Sequence, residues 1–215
     1  QGGQATAAAA EIESTYAPEL DIKGVVAGAA PSELNAVSAH LDGDGNQYFT
    51  FLAFAALGLD TAYDELDLAS YLNAEGQALF SQATSGEGVC LGDGLALGAG
   101  KSIADLTTSS PLETPAWQAR IAEQEIGTVA PDVPVFAYHG SNDQVIPFEQ
   151  TSALRDSWCG LGADVVYESY PVDHLGGITA GTADGAAFLQ ARFAGQALPA
   201  TCTGWPRSAR PASTS

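Results

Sequence analysis

Methionine is absent from the 215 residues, histidine and cysteine occur three times each, and only seven lysines and arginines stand against 26 aspartates and glutamates. The formal net charge of -19 argues against nucleic acid or an anionic membrane surface as a partner, because both are held by clustered basic side chains. It suits a protein kept soluble outside the cell. No stretch approaches the roughly 18 consecutive apolar residues that a membrane-spanning helix needs, so no stable membrane insertion is expected. No signal peptide lies within the sequence, and the leader of an exported protein would lie upstream of it. Neither C-x-x-C nor H-x-x-x-H spacing occurs, so no zinc site and no other metal ligand set is expected.

Two further motifs are incomplete. In GDGLALGAGKS five residues rather than four separate Gly94 from Gly100, and no apolar strand precedes them, so a phosphate-binding loop is not supported. LDGDGNQ offers Asp42, Asp44 and Asn46 as the start of a calcium loop, but the position for the closing bidentate glutamate holds Ala53. No cofactor is expected.

What is present reads as a folded α/β protein, with 46% hydrophobic and 15% charged residues. An alanine-rich stretch predicts a helix over residues 2–16, stopped with the help of Pro18. Three apolar runs predict buried parallel strands: Gly24 to Ala30 in GVVAGAA, residues 133–140 in VPVFAYHG, and residues 164–171 in DVVYESYP. Helices are predicted from Glu149 to Trp158 and from about Ala183 to Phe193, which makes right-handed βαβ units.

From Leu41 to Ile126 the rhythm changes to several helices with no clear strand. An insertion at the strand ends, where open α/β sheets bind ligands, suggests a cap over a site; a plain stabilising subdomain is the alternative. Phe49, Phe51, Leu52 and Phe54 would then line an acyl-binding surface or form the cap's own core. The expected division is core at 1–40, helical cap at 41–126, core again at 127–206 and a loose tail at 207–215.

Cysteines pair in an oxidising compartment. Cys159 and Cys202 would staple the last helix and the tail to the body and leave Cys90 over; three reduced, buried thiols are the alternative. In HGSNDQVIP, Asp143 follows an apolar strand on a loop, as a catalytic carboxylate or as a turn cap. In YPVDHLGG, His174 follows the next strand, in a loop where Gly176 and Gly177 would let the ring project. His139, at a strand-to-turn junction, is better placed to hold the Asp143 loop by a hydrogen bond, and His40 opens the cap. Asp173 is a rival acid, but neighbours in sequence rarely orient each other's rings.

Acid then histidine, each after a successive strand, is the order that closes a Ser…Asp…His triad in α/β hydrolases, where the serine comes first in a G-x-S-x-G turn between strand and helix. No intact G-x-S-x-G occurs. The opening QGG, running straight into a helix, reads as the downstream part of such a turn.

QGGQAT, GVVAGAAPSEL, the helical insertion, HGSNDQVIP and DHLGG together resemble the secretory lipase family of α/β hydrolases, of the fungal lipase A type with actinobacterial relatives, over Gln1 to about Trp205. The resemblance implies an α/β-hydrolase fold and a secreted serine carboxylic-ester hydrolase acting on an ester or lipid substrate. It makes Asp143 the triad acid, His174 the base, Gln1 an oxyanion donor through its backbone N–H, and Gly2 the closing glycine of the turn. It pairs Cys159 with Cys202. The serine would lie immediately before Gln1, on an N-terminal half that also supplies a partner for Cys90. An esterase for short-chain, polymeric or peptide substrates and a noncatalytic hydrolase-like binding protein are the alternatives.

Overall fold

The computed structural model describes residues 2–43, 45–85, 89, 91–198 and 202. In chain order the elements are α1 (Gly2–Tyr16), β1 (Val25–Gly28), α2 (Leu34–Leu41), α3 (Phe49–Ala62), α4 (Ala74–Ala83), α5 (Leu91–Gly98), α6 (Ile103–Leu106), α7 (Pro115–Ala122), β2 (Val135–Gly140), α8 (Glu149–Leu161), β3 (Val165–Tyr170) and α9 (His174–Phe193). Two single turns of 3₁₀ helix, Leu68–Ser70 and Pro111–Glu113, interrupt the helical middle. The chain divides into two compact units, Leu34–Gln124 and the residues to either side of it.

The first unit is built on a parallel sheet in the order β1-β2-β3. Val25 lies opposite Val135, and Val135 opposite Val165, so the three strands start in step. Side chains alternate across β2, as the pleat requires. Val135 and Ala137 enter a core with Ala7 of α1 and Leu154, Trp158 and Cys159 of α8. Phe136 and Tyr138 point the other way, onto α9, where the Phe136 and Phe188 rings are 5.8 Å apart. Covering both faces is what a short, apolar parallel strand needs.

The last helix departs from the sequence expectation. α9 begins at His174 rather than near Ala183, so His174 does not project from a flexible glycine loop. Gly176, Gly177, Gly181 and Gly185 lower the local helix propensity, yet all lie inside α9. Tertiary packing overrides propensity here. A Cβ on Gly181 would stand 2.3 Å from the Tyr138 ring, and one on Gly185 would stand 2.9 Å from Val26. Only glycine lets the helix lie this close to the sheet.

Cys159, at the end of α8, is joined to Cys202 by a disulfide with its Cα atoms 5.7 Å apart. The Cys202 backbone N–H also donates to the Val165 carbonyl, 2.8 Å, so Cys202 is fixed beside β3. Cys90 lies outside the described residues.

The second unit is helical, and the pairing of Leu72 with Thr107 is an isolated bridge rather than a strand. Trp117 is wholly buried at its centre and donates from its indole to the Leu66 carbonyl, 3.0 Å. Phe49 and Leu52 are core residues of this unit. They line a cavity of about 30 Å³ together with Leu68, Phe80 and Leu106. Asp42 accepts the N–H of Ile103, a helix-capping contact, while Asp44 is outside the described residues. Gly94 lies inside α5, and Lys101 pairs with Glu75. Among the described residues no helix is long and apolar enough to cross a membrane.

Candidate active site

β2 and β3 end side by side, with Gly140 opposite Tyr170, and the loops that leave them are laced together. The N–H of Ser141 donates to the Tyr170 carbonyl, 2.7 Å, and that of Asn142 to the Val172 carbonyl, 3.0 Å. This carries Asp143 to the place where α9 begins. One carboxylate oxygen, Oδ1, accepts the backbone N–H groups of Val145 and Ile146, both at 2.8 Å. That closes an Asx-type turn, the local bonding that aspartate favours. The turn fixes the carboxylate plane and leaves Oδ2 for other partners.

His174 is the first residue of α9. Asp173 is the N-cap, and its Oδ1 accepts the N–H of Gly176, 2.7 Å. The rival carboxylate is thus spent on capping, which aspartate does well. Gln144 accepts the His174 N–H at 3.3 Å. So held, the ring places Nδ1 2.7 Å from Asp143 Oδ2.

A carboxylate can only accept, so Nδ1 carries the proton and Nε2 keeps a free lone pair. The Asp143 side chain has no exposed surface, whereas 25% of the His174 side chain is exposed. The buried acid orients a ring whose other nitrogen can reach a reactant. Burial by itself would push the Asp143 carboxyl up. Hydrogen bonds from His139 and His174 and from the Ile146 and Val145 N–H groups outweigh it, and hold the group well below the usual carboxylate range.

His139 is completely buried. Its Nε2 lies 3.1 Å from Asp143 Oδ2 and 3.1 Å from the Ile146 carbonyl, and its Nδ1 lies 2.8 Å from the Thr151 hydroxyl. The expected hydrogen bond to the Asp143 loop is in place.

A cavity of about 280 Å³ lies beside His174, bounded by Gly2, Gly3, Gly28, Ala29, Tyr138 and Gly140. Gly2 opens α1 there and a Cβ on it would meet nothing within 4 Å. Gly3 is the tightly packed one: its Cβ would stand 2.0 Å from the Gly28 carbonyl oxygen. The doubled glycine in QGGQ includes this close approach, at Gly3. Gln1 lies outside the described residues.

One clasp has no sequence signature. The Gln150 side-chain carbonyl accepts the N–H groups of Ser32 and Glu33 at 2.9 and 2.8 Å, and so ties the loop after β1 to the start of α8.

A family model described as secretory lipase matches residues 1–200. Among curated relatives, Lipase A of Moesziomyces aphidis is 26% identical over 94% of this chain and 45% of its own length. A probable inactive lipase of Mycobacterium tuberculosis is 32% identical over 77% of this chain and 37% of its own length. A secreted triacylglycerol lipase of Malassezia furfur is 26% identical, covering 90% of this chain and 41% of its own. The chain therefore spans less than half the length of these relatives. The crystal structure of Candida antarctica lipase A in its closed state superposes with a TM-score of 0.85 at 24% identity, over 94% of this chain and 49% of that one. A hydrolase structure from Legionella pneumophila gives 0.76 at 14% identity. The likeness establishes the α/β-hydrolase fold.

Proposed function

The chain belongs to the secretory lipase family, and from that premise we propose that it carries the acid and base of a secreted serine carboxylic-ester hydrolase. The observation that carries the reading is the 2.7 Å contact from the buried Asp143 carboxylate to His174 Nδ1. It leaves Nε2 open, beside a cavity that also meets the N-terminus of α1.

In this mechanism His174 Nε2 takes the proton of a serine hydroxyl as the oxygen attacks an ester carbonyl. Asp143 holds the ring in that tautomer and stabilises the imidazolium that forms. The imidazolium then protonates the leaving alcohol, and water repeats the sequence to free the acid. The nucleophile is proposed to be a serine on the residue before Gln1, in an N-terminal segment that also partners Cys90. On that reading the Gln1 N–H is one oxyanion donor, worth about 3–4 kcal/mol of transition-state stabilisation. Gly2 is then the closing glycine of the turn. The helical unit is an insertion between β1 and β2 of the hydrolase sheet. The names of secreted relatives and the Cys159–Cys202 disulfide support an extracellular location.

A second reading is favoured by the 32% identical relative named as a probable inactive lipase: a noncatalytic binding protein on the same fold. Hydrolysis of a p-nitrophenyl ester series, short to long, by the full-length parent decides between them, with His174→Ala as control. Turnover abolished by that substitution is expected. Turnover that survives it removes His174 from the mechanism, and no turnover on any ester favours the binder.

A further inference from the structure

We propose that His139 is a positioning residue for the acid–base pair, with Thr151 fixing its tautomer. The inference rests on the reading of Asp143 and His174 as acid and base, and deepens it. Nε2 of His139 faces two groups that can only accept, Asp143 Oδ2 and the Ile146 carbonyl, both at 3.1 Å. It therefore carries a proton that the two acceptors share. Nδ1 faces the Thr151 hydroxyl at 2.8 Å, which can donate to it when the ring is neutral. Both ring nitrogens of a fully buried side chain are thus satisfied in one neutral tautomer.

The consequence lies on a single oxygen. Asp143 Oδ2 accepts from His139 and from His174, while Oδ1 is taken by two backbone N–H groups. A donor on the oxygen that holds the catalytic ring draws charge from it and weakens its pull on the His174 proton. His139 thereby sets how basic His174 is. The surroundings leave this task to few groups. α8 offers Thr151 and the Phe148 ring precedes it, with centroids 5.6 Å from His139. Near His174, the Asp173 carboxylate caps Gly176, Tyr138 borders the shared cavity, and Tyr170 donates to Asp184.

The test is an NMR titration of the histidine rings in the full-length parent and in His139→Phe and His139→Gln, beside the pH dependence of kcat/KM on a p-nitrophenyl ester. In the parent at neutral pH, ¹⁵N shifts should assign the Nε2–H tautomer to His139; an Nδ1–H tautomer overturns the proposal. His139→Phe removes the donor, so His174 should titrate about one pH unit higher, with a roughly tenfold loss of kcat/KM on the acid limb. His139→Gln, whose amide can donate from nearly the same point, should restore both. An unchanged His174 titration in His139→Phe, or a Gln variant that behaves like Phe, overturns it. If His139→Phe does not fold, the parent tautomer and the Gln variant still decide. If the parent hydrolyses no ester, the enzymatic reading fails while the ring titrations continue to test the coupling.

Discussion

Tyr138 of β2 lies against the backbone of α9 at Gly181, so closely that a Cβ there would stand 2.3 Å from the ring. The contact seats the helix whose first residue is His174. Gly181→Ala has the higher helix propensity but must move an aromatic ring held between sheet and helix. Overpacking of this kind costs about 1–3 kcal/mol. A lower melting temperature is expected, with kcat falling more than KM rises. An unchanged or higher melting temperature would refute the tight seating.

The same contact explains why the end of the chain was only partly legible. Strands at VPVFAYHG and DVVYESYP stand out because apolar, β-branched and aromatic residues cluster there between turn residues. The glycines of α9 look like loop residues, because propensity carries no information about a ring across the interface. That Asp143 and His174 would meet could be read because each follows a successive strand. That Asp143 would serve two histidines through one oxygen could not, since it depends on the Val145 and Ile146 N–H groups occupying the other oxygen. The Gln150 clasp on Ser32 joins residues 118 positions apart in sequence and involves no motif.

Glu11 is a second buried acid, distant in role from the candidate site. Its Oε1 accepts the Trp158 indole N–H at 2.7 Å and the backbone N–H of Gly127, and so joins α1 to α8. Glu11→Ala strands two buried donors and should lower stability by about 1–3 kcal/mol. Glu11→Gln, which can keep the accepting oxygen, should cost less. Urea unfolding of the two variants gives the comparison, and equal losses would show that the shared oxygen is unimportant.

The disulfide closes a loop whose ends are 43 residues apart. On the chain-entropy account a loop of that length contributes about 4 kcal/mol. The double variant Cys159→Ser, Cys202→Ser should lose much of this, and a reducing agent should lower the melting temperature of the parent by more than that of the variant. An equal reductant effect in the two would assign it to another disulfide.

Asp143 provides the most direct pH signature. Its carboxyl is held below the ordinary range in the folded protein, so the unfolded chain takes up the proton first as pH falls. The stabilisation is complete above about pH 4, the ordinary value, and is lost progressively as pH drops toward the lower folded value. Asp143→Asn removes this linkage, so the stability gap between parent and variant should be widest near neutral pH and shrink below pH 4. The amide can present an N–H to His174 Nδ1 or leave the ring free to take the wrong tautomer. Loss of the triad acid with geometry intact has cost about 10⁴ in kcat elsewhere, and a fall of similar order is expected here in the full-length parent. Denaturant unfolding of parent and variant from pH 3 to pH 7 measures the first effect, and ester turnover the second. A stability gap that does not change with pH would mean that Asp143 is not held in its charged form by the hydrogen bonds described.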